Sequence, residues 1–484
     1  MKKYIIYSLF VLGMASCEES LLELNPITAT SVENFYKTSG DFNTAVNAIY
    51  SVLQEKGIEN EFELGDLPSD DTFSSTNRIT QGDVDFDNLQ VKPSSGASAN
   101  ILINRWNNCY VGIAYANTLL DRINGATFAQ ATKNQYTGEA MFLRAYFYFT
   151  LVKTFGDVIL VTHEVKSVKE SYDYVRVPAS QVYEQIQRDL TDAALLLPLK
   201  YSSSKDAGRV NSVAARALLA RVLLFQSKFS DAQPVLKTVL DNPGGNRILN
   251  VCDSVFMTNN GNNREILFAI QYSGTAIGQT AAVTNIFTQG TNLPTNDIYE
   301  AFDENDKRRS NFLSGKGGSV SRPINKFKDT TPGYLGGMDY PILRYADVLL
   351  MYAECLNESG DVNGAIPYVN QIRARAFGNT TYNYQTTTPS NTTTYISSQE
   401  DMRKKILLER RLEFCFEGLR FWDLVRTNNL SILNDYFTKN NIKVNGQILQ
   451  IQEYQKIFCI PQTIIDINPT KYNQNPGYGF LPVQ

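Results

Sequence analysis

A chain of 484 residues that is 43% hydrophobic and 11% aromatic has enough apolar surface for a large core, as one big domain or two interlocked ones. Its formal net charge of -4 and its lack of a clustered basic run argue against nucleic-acid binding, which needs a concentrated positive surface. The single histidine, His163, excludes zinc sites built on two histidines, and no GxSxG elbow or Walker A sequence is present for a histidine triad or a P-loop.

At the N-terminus, Lys2 and Lys3 precede an apolar run, Tyr4 to Leu12, that is too short to span a bilayer. Met14-Ala15-Ser16 then lead into Cys17. The segment resembles a bacterial lipoprotein signal peptide. That resemblance implies cleavage of residues 1–16 and a mature chain that begins at a lipidated Cys17, with the lipid replacing a transmembrane helix. Glu18 and Glu19 are similar to acidic signals that export lipoproteins to the outer face of the outer membrane. The other five cysteines, 109, 252, 355, 415 and 459, are odd in number and lack CxxC spacing, so they read as buried apolar fillers.

Glu63 to Ala99 is rich in Asp, Ser, Asn and Gly and reads as the first surface insertion. Asp83, Asp85 and Asp87 alternate as at the start of an EF-hand loop. Asn88 stands where glycine is needed and Ser94 where the bidentate glutamate should be, so no calcium or other cofactor is assigned.

Helical periodicity follows in Gln135 to Phe155, where Ala140, Leu143, Phe147 and Leu151 keep three-to-four spacing and Gly156 stops the helix. The aromatic run Tyr146-Phe147-Tyr148-Phe149 points all around such a helix and therefore belongs to the core. His163, just after the apolar run Val158 to Val161, reads as a solvated or hydrogen-bonded residue. Further helices are expected over Val182 to Leu197, Ser212 to Phe225, Asp231 to Leu240, Tyr345 to Glu358, Val362 to Ala376 and Gln399 to Phe416. Two pairs of these, turning at Ser227–Ser230 and at Ser359-Gly360-Asp361, form helix hairpins of about 30 to 35 residues, the unit of a tetratricopeptide solenoid. The expected fold is mostly α, a scaffold of helix hairpins with long irregular insertions. The second insertion, Tyr272 to Tyr340, is rich in Gly, Thr and Asn with isolated aromatics, and Gly378 to Ser398 is a Thr and Asn tract.

Glu409, Glu413 and Glu417 lie at i, i+4 and i+8, a spacing that could suggest paired catalytic carboxylates. Arg410, Arg411 and Arg420 are interleaved with them, which favours an ion-pair network that holds helices together. Glu354 and Arg373, on paired helices, invite the same reading. A sugar site needs exposed rings to cover the apolar face of a pyranose, with planar polar groups at the rim. Phe73 with Asp70, Asp71 and Arg78 meets that description, as do Tyr272, Tyr334 and Tyr340. Trp106 is as suited to the core as to a ligand.

Several of these stretches resemble the SusD/RagB family of outer-membrane nutrient-binding lipoproteins. Trp106 with Tyr110, Ile113 and Asn117, the stretch Gly138 to Val161, and Pro341 to Gly360 followed by Ile372 to Ala376 are similar to successive motifs of that family. Glu409-Arg410-Arg411 with Glu417-Gly418-Leu419-Arg420 and Asp423-Leu424 resembles its late signature. Ile460-Pro461, Asn468-Pro469 and Gln474 to Tyr478 resemble its C-terminal one. Cys415 and Cys459 depart from the pattern but remain apolar. The resemblance implies one SusD-like domain over residues 17–484, its N-terminal part about 17–240 interlocked with a C-terminal part about 264–484. It also implies a ligand site in the loops, an oligosaccharide or peptide ligand, no catalysis, and a SusC-like TonB-dependent transporter as partner in the outer membrane, facing the cell exterior. Two other readings remain, a secreted glycoside hydrolase with loop carboxylates and a surface assembly scaffold with no small ligand.

Overall fold

The computed structural model describes residues 35–479 except 59–60, 75–80, 95, 274–291, 316–323, 328 and 330–335. Cys17, Arg78 and Tyr334 lie outside the described residues. The elements that build the scaffold are, in chain order, α1 (Ser39–Ser51), β1 (Thr72–Ser74), α2 (Ala97–Ile123), α3 (Gln130–Phe155), α4 (Ala179–Leu196), α5 (Ser212–Phe225), α6 (Phe229–Asp241), β2 (Ile266–Ile270), β3 (Asn292–Pro294), β4 (Tyr340–Arg344), α7 (Tyr345–Glu358), α8 (Val362–Phe377), α9 (Gln399–Phe414) and α10 (Arg420–Arg426). The molecule is mostly helical, as the periodicity requires, and its strands form four two-stranded ribbons among the described residues.

Helices α2 to α8 stack in chain order, each against the next, and α9 packs on α7 and α8. The stack is continuous across a long excursion, because α6, which ends at Asp241, packs directly on α7, which begins at Tyr345. The described residues between them, β2 and β4 included, add to the core without interrupting the helix stack. Local sequence explains the helix limits. Asn211 caps α5 by accepting from the Ala214 N–H, Asp361 does the same for α8 through Gly364, and Ser398 caps α9 through Asp401. In α1, Thr38 and Asp41 form a reciprocal capping box.

The apolar faces merge into one hydrophobic cluster that includes Trp106, Phe147, Leu218, Leu350, Ile372 and Phe421. Helices α5 and α7 are buried nearly all round, which is why their sequences are apolar on every face. Where α2 crosses α3, a Cβ at Gly112 would lie 2.3 Å from the Phe147 ring, so the crossing needs a residue without a side chain. The five cysteines from 109 to 459 are free and buried, as fillers should be.

Two expectations are corrected here. Glu63 to Ala99 is not a surface loop at its start. Glu61–Gly65 is a short helix, every residue from Glu61 to Thr72 is buried, and a further helix spans Gln81–Asp87. Glu354 and Arg373 do form structural ion pairs, but not within their hairpin: Glu354 binds Arg426 at 2.6 Å and Arg373 binds Glu409 at 3.0 Å.

Candidate functional site

The last turns of helix α9 carry Glu409-Arg410-Arg411-Leu412-Glu413, every one buried and every charge paired. Glu409 meets Arg308 at 2.8 Å as well as Arg373. Glu413 accepts from Arg375 at 2.5 Å and from Arg344 and Arg308 at 3.1 Å. Arg344 also reaches Glu265 and Glu417, each at 2.7 Å, and Lys326 binds Glu417 at 2.6 Å while donating to the Glu413 and Cys415 carbonyls. On the other side, Arg410 binds Asp347 of α7 at 2.6 Å and Asp423 of α10 at 2.9 Å.

Burial alone would raise the Glu413 carboxyl, but the guanidinium groups of Arg375, Arg344 and Arg308 outweigh it and hold the group well below the usual range. Asp347 is lowered likewise, with burial overcome by Arg221 and Arg410. Glu413 and Asp347 are thus held as ionised structural anions, and neither is poised as a general acid. The glutamate row is therefore an internal lock between helices, the structural role that the interleaved arginines suggested.

The same lock fastens the roots of both insertions. Arg411 donates to the Asp71 carboxylate at 2.7 Å and to the Asp70 carbonyl at 3.0 Å, and Arg420 grips Asp70 from α10. Asp70 and Asp71 lead directly into β1, which pairs antiparallel with β3 in the register Thr72 to Pro294, Phe73 to Leu293 and Ser74 to Asn292. Thr295 completes the joint by donating its hydroxyl to the Asp70 carbonyl at 2.7 Å and its N–H to the Asp71 carbonyl at 3.0 Å. The second insertion leaves and re-enters the scaffold through the β2–β4 ribbon, in which Ile270 faces Tyr340. Ser74 and Asn292 thus lie side by side, on a base tied to α9 and α10.

This arrangement changes the role of several candidate residues. Asp70 and Asp71 are buried anchors with no solvent-accessible edge for a sugar hydroxyl. Tyr340 is only 2% exposed and donates its hydroxyl to the Glu417 carbonyl, so its ring is core. Tyr272 is 8% exposed, beside Asp339, which accepts its N–H. Trp106, 4% exposed, packs edge-on against Phe155 and beside Tyr110, which settles its role as core. Phe73 is half-buried on β1. Asp85 accepts from the Ser98 hydroxyl and Asp87 from the Ser74 N–H, so the acidic alternation works as a local brace. His163 is exposed and hydrogen-bonded to Glu170 and to the Tyr174 hydroxyl, each at 3.0 Å.

A feature not apparent from the sequence lies along the β2 strand. Two adjoining cavities, of about 350 and 610 Å³, share a wall made by Ala207, Gly208 and Arg209. The first is lined by Asn47, Tyr50, Gln54, Lys205 and Gln271 among others, and the second by Lys200, Ser202–Ser204, Asn246, Asn262 and Arg264 among others. Lys200-Tyr201-Ser202-Ser203-Ser204-Lys205, a basic and hydroxyl-rich run, and the Gly244-Gly245-Asn246 turn were the available signals.

The sequence and the fold agree with known proteins along the whole chain. A family model described as SusD family matches residues 257–478, and one described as starch-binding associating with outer membrane matches residues 23–224. A SusD-like protein of Formosa agariphila is 26% identical over 99% of this chain and 100% of its own length. Among solved structures, a SusD-like protein from Bacteroides fragilis superposes with a TM-score of 0.75 at 24% identity, covering 92% of this chain and 98% of that one. A laminarin-binding SusD-like protein gives 0.74 at 24% identity, over 92% of this chain and all of that one. Surface glycan-binding protein A from Bacteroides fluxus gives 0.75 at 22% identity, over 91% and 100%. Matched by two related models of the SusD group, one on residues 23–224 and one on 257–478, and by a full-length SusD-like relative, the chain belongs to the SusD-like family.

Proposed function

We propose that this protein is a surface lipoprotein that binds a nutrient oligosaccharide and passes it to a SusC-like TonB-dependent transporter in the outer membrane. The observation that carries this reading is the match of the entire chain to a family in which the similar structures include a laminarin-binding protein and a surface glycan-binding protein. The anchor is Cys17, and residues 1–16 are the signal peptide. Among the described residues no helix is long and apolar enough to cross a membrane, which agrees with attachment by lipid.

The ligand site is built on the paired insertions. The helices spend their apolar faces on the core and their charges on the lock, whereas the insertions begin together at the β1–β3 ribbon and carry Phe73, Arg78 and Tyr334. An exposed ring that covers the C–H face of a sugar contributes about 1 kcal/mol beside the polar contacts at the rim. Binding without turnover is supported by the commitment of Glu409, Glu413 and Glu417 to buried ion pairs. The test is calorimetric titration with a panel of soluble glycans and peptides, followed by chromatography of the recovered ligand. A glycan that binds and is recovered intact supports the proposal. Shortened products would replace it with a hydrolase, and a peptide as the sole ligand would move it to peptide uptake.

A further inference from the structure

We infer that the cleft around Arg209 is a second carbohydrate site, selective for an acidic oligosaccharide and distinct from the β1–β3 ribbon at the base of the insertions. The inference rests on the glycan-binding reading above and adds a ligand class and a place.

The charge balance points to the class. Four cations, Lys200, Lys205, Arg209 and Arg264, line the two adjoining cavities against one acid, Asp206, in a chain whose formal net charge is -4. Arg209 is already neutralised. Its guanidinium binds Glu139 at 2.8 Å, approaches Asp206 at 3.5 Å, and donates to Asn43 at 2.6 Å and Asn47 at 3.0 Å. Lys200, Lys205 and Arg264 are exposed and form no ion pair within the described residues, in contrast to arginines of the scaffold such as Arg144, Arg221 and Arg410, which are matched to carboxylates. The mouth of the cleft therefore keeps a positive excess. The N-terminus of the 14-residue helix α5, which begins beside Asn211, adds to the same potential.

The neutral lining points to a glycan over an acidic peptide. Asn246, Asn262, Asn263, Gln54 and Gln271 give the lining planar amides that internal hydrogen bonds hold in place, with second donor and acceptor positions that match vicinal hydroxyls, and Ser202–Ser204 add hydroxyls. Asn262 and Gln271 are bonded to each other in both directions, at 2.6 and 3.2 Å, and link the second cavity to the first. The combined space falls in the range of small-molecule sites and extends along the surface, as a chain of sugars requires. Uronate carboxylates or sulfates would face Lys200, Lys205 and Arg264, while ring hydroxyls would meet the amides.

The experiment uses the mature protein and a variant carrying Lys200→Gln, Lys205→Gln and Arg264→Gln, three exposed positions whose replacement leaves the core untouched. Calorimetry is run with tetragalacturonate, a chondroitin sulfate oligosaccharide, a neutral laminarin oligosaccharide and hexaglutamate. Hydrogen exchange then reports where the ligand lies. The expected result is that an acidic oligosaccharide binds, that its affinity falls at least tenfold in the variant and also falls with added salt, and that residues 198–211 and 262–271 are protected. Equal binding of that ligand to both proteins, or protection confined to the insertions, overturns the inference. Binding of laminarin alone overturns it while leaving the glycan-binding reading intact, and failure of every glycan overturns both. Hexaglutamate binding more tightly than either acidic glycan would make the cleft a peptide site and also overturns it.

Discussion

Arg420 holds Asp70 with two arms of its guanidinium, Nε to Oδ1 at 2.7 Å and Nη2 to Oδ2 at 3.0 Å, across 350 positions of chain. This contact ties the root of the first insertion to the helix that follows the charged lock, and both partners are buried. Removing one member of such a pair leaves the other charge without compensation in a poorly hydrated site. Asp70→Ala is expected to lower stability by about 3–5 kcal/mol in urea unfolding. Because the β1–β3 ribbon follows Asp70 directly, the variant should also lose glycan affinity at temperatures where it is still folded.

A second joint depends on two glycines. A Cβ on Gly65 would lie 1.9 Å from the Gly418 carbonyl oxygen, and Gly418 itself has φ +72 with its own Cβ position 2.8 Å from the Glu61 backbone. No side-chain rearrangement relieves a clash with main chain. Gly418→Ala should therefore destabilise by more than about 2 kcal/mol, while Gly125→Ala, whose nearest contact would be 3.6 Å, stays within about 0.5 kcal/mol. Thermal melts of the two variants make the comparison.

The pH dependence follows from the buried acids. Burial would raise Glu61, but Arg105 and Lys153 outweigh it and hold the carboxyl at about 2; Arg411 and Arg420 do the same for Asp70, also at about 2. Between pH of about 4 and 2 the unfolded chain takes up protons that these native groups refuse, so stability is lost as pH falls. Lys153, the partner of Glu61, is itself lowered to about 8 by burial, so the gain at Glu61 is partly offset at neutral pH. Asp66, Asp71 and Glu139 are raised, chiefly by burial, and act in the opposite sense at higher pH. The melting temperature should therefore fall steeply only below about pH 4, and Glu61→Gln should make that fall shallower.

The helices were legible in the sequence because their signals are local. Ser212–Phe225 and Tyr345–Glu358 have the limits that periodicity and capping indicate. The stretch from Glu61 to Asp71 was not legible, because Glu61, Glu63, Asp66, Asp70 and Asp71 look like a solvated loop until their partners are known. Those partners lie far away in sequence: Arg105 and Lys153 for Glu61, Arg411 and Arg420 for the aspartates. Composition cannot show such compensation. The same limit explains why Asp70, Asp71 and Tyr340 look like loop residues in the sequence and are buried anchors in the fold.

Lipid attachment has a direct test. Cys17→Ser should leave the protein in the soluble fraction after cell lysis, whereas the unaltered protein should remain with the outer membrane and incorporate labelled palmitate. Equal membrane association of the variant would show that another element holds it there.

The central claim is that the paired insertions bind a glycan that the protein does not cleave. The most direct measurement is calorimetric titration of the mature protein and of Tyr334→Ala with the glycan selected by the panel, with chromatography of the ligand afterwards. The account predicts measurable affinity in the unaltered protein, a severalfold loss in Tyr334→Ala at an unchanged melting temperature, and intact glycan in both. Shortened glycan, or no affinity for any glycan in the folded protein, would contradict it.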